Sequence, residues 1–347
     1  MKTLKKIACL ALALALSLSL FACGGGSKVT LNVLNWGDYI DPDLLRQFED
    51  ETGISVKYTT MTSNEEMLVK LASADNIYDV CFPSDYLIEK LVAEDLLYAI
   101  NKANIPNLSN IDSRFLDLAF DPGNQYSVPY MWGTVGILYN PTMVSDPVDS
   151  WNILWDEKYS GEILMYDSMR DTIGITLKKL GYDINTRSED DILAAQEALI
   201  AQKPLVRAYL TDDIKMELIN GSASMGVVYS GDAVYCISEN PDLAYAVPKE
   251  GSNVWFDNII IPKTSTRTAE AEQFINFLCD AEVAAQNSDY IGFSTPNAAG
   301  LALMDPSYAA DPTYNPPQDV LDRCQIFQDL GDFVKVFSNA WTKVKAA

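Results

Sequence analysis

Three short segments set aromatic rings beside carboxylates: Asn35-Trp36-Gly37-Asp38-Tyr39, Pro83-Ser84-Asp85-Tyr86 and Trp255-Phe256-Asp257. That mixture suits an elongated organic cation. Each ammonium group needs a carboxylate, because a desolvated charge left unpaired is very costly, whereas a methylene chain and its charge both gain from aromatic walls. A cation over a well-placed ring gains about 0.5 to 2 kcal/mol. Taken singly, Trp36 could be core, Asp38 or Asp85 a helix cap, and Asp257 a solvated turn residue. Their recurrence at three predicted strand ends is what points to a site.

The elements that must position these segments alternate between strand and helix. Residues 29–34 read as a strand, and residues 41–51 as a helix with Leu44, Leu45 and Phe48 on one face and Gly53 beyond its end. A strand over 54–59 follows. Ser63-Asn64-Glu65-Glu66 fits a capping box that opens a helix carrying Met67, Leu68 and Leu71, and a strand over 78–82 is halted by Pro83. This β-α-β-α-β succession predicts a parallel sheet with helices on both faces and ligands at the carboxyl ends of its strands. A second α/β stretch holds strands over 135–139, 162–165 and 225–229 and helices over 173–180 and 190–201. A strand over 256–261, a helix over 269–278 and a helical tail over 319–344 complete the pattern. No internal segment is rich in Gly or Ser, so the expected fold is α/β with two lobes joined by crossing strands and a ligand cleft between them. Residues 29–131 with 257–303 form the N-terminal lobe in this reading, and 132–256 with 304–347 the C-terminal lobe.

Among the 347 residues, 25 are basic and 48 acidic, a formal charge of −23 that repels phosphate backbones and argues against nucleic acid as a partner. Histidine is absent, which removes Ser-His-Asp and Cys-His triads and His-ligated zinc. No metal and no cofactor is expected. Residues 1–22, with Lys2, Lys5 and Lys6 before an apolar run, read as a signal peptide, so the mature chain is more acidic still. Leu20-Phe21-Ala22-Cys23 resembles a bacterial lipobox, which would make Cys23 an acylated first residue and 23–28 a flexible tether. Cys9 leaves with the signal. Cys81, Cys236, Cys279 and Cys324 show no C-x-x-C spacing and read as small buried hydrophobes, with a disulfide left open. The runs Glu49-Asp50-Glu51 and Glu189-Asp190-Asp191 read as solvated surface.

The chain resembles the spermidine/putrescine-binding proteins of ABC transporters over nearly its whole mature length. The likeness is carried by the first aromatic segment and by Phe48-Glu49-Asp50-Glu51-Thr52-Gly53, Tyr78-Asp79-Val80, Tyr126-Ser127-Val128-Pro129-Tyr130-Met131-Trp132-Gly133, Lys179-Leu180-Gly181-Tyr182, Pro248-Lys249-Glu250-Gly251 and Ile291-Gly292-Phe293-Ser294-Thr295-Pro296-Asn297. It implies a periplasmic-binding-protein fold, type II-like, that closes on a polyamine without catalysis. The ligand would be handed to a membrane permease and an ATPase. This chain has no P-loop and no bundle of spanning helices to supply those parts itself. The resemblance implies a monomer, exported and lipid-anchored at the outer face of the cytoplasmic membrane or in the periplasm.

By the same resemblance, Trp36 and Tyr39 contact the ligand, Asp38 takes a terminal amine, and Ser84, Asp85 and Tyr86 line the same lobe. Trp255 stacks on the methylene chain and Asp257 pairs with an ammonium. Asp171 matches a family acid, whereas Ser168 stands where the spermidine binder has an aspartate. Tyr229 replaces a frequent tryptophan and Phe293 a frequent tyrosine. Gln328 matches a glutamine near the C-terminus, in a register that could equally bring Phe327 into the site. Asp38 and Ser168 lean towards putrescine and Trp255 towards spermidine. The residues alone leave two other readings: the same fold with a sugar, an amino acid or ferric iron, and a secreted glycosidase using two of Asp38, Asp171 and Asp257. Such an enzyme needs its carboxyl groups roughly 5 Å or 6.5 to 9.5 Å apart.

Overall fold

In the computed structural model, residues 29–73 and 77–347 are described, so the signal peptide and Cys23 lie outside the described residues. The strands are β1 (Thr30–Trp36), β2 (Ser55–Met61), β3 (Val80–Cys81), β4 (Ser127–Tyr139), β5 (Ile163–Tyr166), β6 (Val206–Leu210), β7 (Met225–Tyr229), β8 (Ala244–Ala246) and β9 (Val254–Ile260). They join in the order β2-β1-β3-β9-β4-β7-β5-β6, with β8 laid against β4. The longer helices are α1 (Pro42–Thr52), α2 (Asn64–Ala72), α3 (Asp85–Ala93), α4 (Met169–Leu180), α5 (Glu189–Gln202), α6 (Ser230–Glu239), α7 (Thr268–Leu278), α8 (Ala281–Ile291) and α9 (Val334–Ala346).

Parallel pairing holds within each lobe, β1 with β2 and β3, and β5 with β6 and β7. The lobes are joined by antiparallel strands. Residues Ser127 to Thr134 of β4 pair with β9, and Val135 to Tyr139 pair with β7 and β8, so one strand belongs to both lobes. Twelve of its thirteen residues are buried, which makes it a structural member rather than a tether. Its register shifts between Pro129 and Met131, a place where proline's missing N–H breaks no ladder bond. A third crossing follows the two strands: Gln325 donates its N–H to the Ser252 carbonyl at 2.9 Å and accepts from Val254 N–H at 3.0 Å.

Local chemistry explains the helix ends. Asp41 caps α1 by accepting from Asp43 N–H, Pro42 opens the helix, and Gly53 closes it at φ 73°. Ser63 accepts from Glu66 N–H at the start of α2, but Glu66 reaches back to Thr62 rather than to Ser63, so the box closes one residue early. The four cysteines in the described residues are free thiols. Burial pushes the Cys236 and Cys279 thiols up to about 12.

Two expectations are corrected. The strand expected over 78–82 is only Val80–Cys81. The tail is not one helix: residues between Gln318–Leu321 and α9 are drawn out because Gln325 pairs with β9 and Phe327 and Leu330 are buried. Tyr314 is fully buried, its hydroxyl 2.6 Å from Ser288 Oγ of α8 and accepting from Thr295 N–H at 3.1 Å.

One glycine permits the crossing. A Cβ on Gly133 would lie 2.6 Å from Ser230 Oγ and 2.7 Å from the Trp255 ring, so the indole lies directly against the backbone of β4. Gly133→Ala should lower stability in urea unfolding by about 1 to 3 kcal/mol, as overpacking does. Gly37→Ala, with nothing within 4 Å of the added carbon, should change it by less than about 0.5 kcal/mol.

Candidate functional site

Asp257 lies in β9 opposite Met131 of β4 and is bridged to Ser84 just before α3. Its carboxylate is 6% exposed. Ser84 Oγ donates to Oδ1 at 2.6 Å and Tyr39 Oη to Oδ2 at 2.8 Å. Among the described residues, no lysine or arginine pairs with it. Burial pushes the Asp257 carboxyl up to about 6, against the opposing pull of the Ser84 and Tyr39 hydrogen bonds. Burial, and then the Asp257 charge, hold the Tyr39 hydroxyl well above its ordinary range.

A second acid is built the same way. Asp171 sits in the first turn of α4, where the helix dipole favours negative charge, and it too is 6% exposed. Ser168 caps that helix and donates its hydroxyl to Asp171 Oδ2 at 2.6 Å. Tyr229 Oη donates to the same oxygen at 2.8 Å, and Asn253 Nδ2 to Oδ1 at 3.4 Å. Again no basic residue of the described chain pairs with it.

Rings connect the two acids. Tyr39 meets Phe293 at 5.4 Å, Phe293 meets Trp255 at 5.5 Å, and Trp255 meets Tyr229 at 5.8 Å, each edge to face. The outer rings carry the hydroxyls that hold Asp257 and Asp171. Trp255 is buried with its Nε1–H lacking a partner in the described chain. Phe293 lies against Gly231 at the start of α6, where a Cβ would come within 2.3 Å of the ring. Trp36 is fixed at the end of β1 by its indole, which donates to the Phe82 carbonyl at 2.8 Å beside the turn carrying Ser84.

Other expected residues fall elsewhere. Asp38 is exposed, in a left-handed conformation at φ 47°, outside the hydrogen bonds that organise the pair. Asp85 is not free for a ligand: its oxygens accept from Tyr86 N–H at 2.7 Å and Phe256 N–H at 3.0 Å, so it ties α3 to β9. Burial holds its carboxyl well above the usual range despite those donors. Gln328 is exposed, and only its backbone is engaged: its carbonyl accepts from Arg170 at 3.3 Å and its N–H donates to Asn185 Oδ1 at 2.9 Å. Phe327 takes the inward position, buried under the Arg170 guanidinium at 4.4 Å. Tyr86 donates its hydroxyl to Glu65 at 3.3 Å and lies 5.2 Å from the same guanidinium.

Two residues escaped the sequence reading. Arg170 is buried in the first turn of α4, where its charge opposes the helix dipole; that misplacement was the available signal of a tertiary role. Asp232 follows Ser230-Gly231 after β7, much as Asp171 follows β5, and is buried 3.4 Å from Lys215. Burial pushes its carboxyl up while Lys215 pulls it down, and its charge reaches the Tyr39 and Tyr229 hydroxyls.

The chain matches the family described as bacterial extracellular solute-binding protein over residues 43–316. It is 35% identical over 340 residues to the spermidine/putrescine-binding periplasmic protein of Salmonella typhimurium, covering 97% of each chain. The structure of the spermidine/putrescine ABC transporter substrate-binding protein PotD of Streptococcus pneumoniae superposes with a TM-score of 0.81 at 37% identity, covering 92% of this chain and 99% of that one. The TpPotD lipoprotein of Treponema pallidum gives 0.81 at 26% identity, covering 91% and 99%.

A buried, unpaired carboxylate carries a cost in the ligand-free protein. With its carboxyl at about 6 when folded, against an ordinary 3.8, Asp257 lowers stability as pH rises from about 4 to about 6, by about 3 kcal/mol in total. Asp257→Asn should therefore stabilise the ligand-free protein at pH 8 by about 1 to 3 kcal/mol in urea unfolding, with the gain shrinking towards pH 4.

Proposed function

Because the chain belongs to the bacterial extracellular solute-binding protein family, we propose that it binds a polyamine between its lobes and delivers it to a membrane ABC permease with its ATPase. The observation that carries this reading is the pair of buried acids, Asp257 and Asp171, held by neutral donors at opposite ends of a strip of rings. Each ammonium of the ligand supplies a counter-charge that the protein withholds, and the hydrocarbon between them lies along Phe293 and Trp255. Tyr39, Ser84, Ser168 and Tyr229 orient the acids, while Trp36, Tyr86 and Phe327 form further wall. Removing one partner of such a pair costs about 3 to 5 kcal/mol. The role is capture and release, not turnover.

The lobes in this proposal are residues 29–131 with 257–303 and 132–256 with 304–347, amended by the burial of Tyr314 on the first. Export and acylation of Cys23 complete it, with 23–28 as tether and the folded chain acting as a monomer at the outer face of the cytoplasmic membrane or in the periplasm. The lipobox-like Leu20-Phe21-Ala22-Cys23 supports the anchor. Among the described residues no helix is long and apolar enough to cross a membrane.

Titration calorimetry at pH 8 with putrescine, spermidine, a sugar and ferric iron should give heat with the amines alone; tight sugar or iron binding without amine binding would sink the reading. Asp257→Asn should weaken amine binding at least about a hundredfold, at the scale of the pair cost above. Below pH 6 the wild-type affinity should fall by up to about tenfold per pH unit, since a proton must leave Asp257 before an ammonium can pair with it. Cys23→Ala should move the protein from the detergent phase to the aqueous phase of a two-phase extraction; equal partitioning of both forms would refute the anchor.

A further inference from the structure

The buried carboxylates around the strip are not equivalent. Asp232 has Lys215 at 3.4 Å, and Asp85 has its oxygens on the amides of Tyr86 and Phe256. Asp257 and Asp171 differ from both: their donors are side-chain hydroxyls and, for Asp171, the Asn253 amide, with neither a cation nor a backbone N–H among them. Along the strip between them, the side chains of Phe293 and Trp255 offer an ammonium group no acceptor. Phe293 is hydrocarbon there, and the one polar atom of the Trp255 side chain is itself a donor, buried and unpartnered. A charge placed over the middle of the strip would gain ring contact but no acceptor from those two side chains, and the unpartnered Asn253 Oδ1 belongs to the Asp171 end, where Asn253 Nδ2 donates to the acid.

The space next to Asp171 already holds a cation. Arg170 stands over Phe327 at 4.4 Å, Tyr86 at 5.2 Å and Phe337 at 5.5 Å, with the Gln328 carbonyl accepting from both terminal nitrogens. No carboxylate forms an ion pair with it in the described chain, although the charges of Asp171, Asp85 and Glu65 act on it. The acids left over, Asp38 and Glu65, are exposed, and an ion pair in water adds little.

We propose, resting on the polyamine reading above, that the cleft selects linear α,ω-diamines over triamines. Two ammonium groups meet two unsatisfied carboxylates, an uninterrupted methylene chain crosses Phe293 and Trp255, and Arg170 repels a third charge beyond Asp171. Arg170 is thus a specificity-determining residue that acts through its fixed charge.

Calorimetry on the full mature chain at pH 8 and constant ionic strength tests this with putrescine, spermidine and 1,8-diaminooctane. The last has the same number of chain atoms between its amines as spermidine but two charges instead of three. Putrescine should bind at least tenfold tighter than spermidine, and 1,8-diaminooctane tighter than spermidine despite equal length. Arg170→Gln, folded by circular dichroism, should narrow the putrescine-to-spermidine ratio at least threefold; if it does not fold, the wild-type ligand series decides alone. Spermidine binding as tightly as 1,8-diaminooctane, or tighter than putrescine, would overturn diamine selectivity and leave the polyamine reading standing. An unchanged ratio in folded Arg170→Gln would overturn the role of Arg170. Absence of heat from all three amines would instead overturn the polyamine reading, and this inference with it.

Discussion

Two carboxylates are kept out of water with no basic side chain of the described protein to neutralise them, and much of the surrounding arrangement serves that condition. A desolvated acid is tolerable when hydroxyl and amide donors point at it, and less so than when a cation does. Ser84 and Tyr39 do this for Asp257; Ser168, Tyr229 and Asn253 do it for Asp171. The donors are enough to let the protein fold around the acids, yet they leave each charge uncompensated. In the proposed function, a cationic ligand would meet that unsatisfied electrostatic demand.

The sheet makes the demand possible. Asp257 and Trp255 are neighbours on β9 that differ by two in register, so they face the same side of a crossing strand while lying near different lobes. Gly133 lets the indole settle on β4, and Gly231 lets Phe293 settle on the start of α6. Close backbone approach at two points therefore turns separate rings into a continuous surface. Asp85, which ties α3 to the amide of Phe256, holds the strand between those two neighbours in place.

Much of this was legible from the chain alone. Periodicity and caps located most of the helices, because Gly53 and Ser63 act through local backbone chemistry that needs no tertiary partner. The resemblance brought Trp255, Asp257 and Asp171 together. What stayed hidden depends on direction rather than identity. Asp85 and Asp257 carry the same group at neighbouring sites, but one turns to backbone amides and the other to side-chain hydroxyls. Phe327 and Gln328 exchange roles through a register set by Gln325 pairing with β9, a long-range bond invisible to local pattern. The same bond explains why the tail is not one helix. Arg170 and Asp232 were passed over because burial of a charge is decided by what packs over it.

The three crossings lie side by side and are hydrogen-bonded to one another, β4 to β9 and β9 to the Gln325 segment. Such a ribbon flexes readily out of its plane but resists shear within it, since sliding would break several ladder bonds at once. Like the knuckles of a long piano hinge, the bonded crossings hold the two halves against skewing.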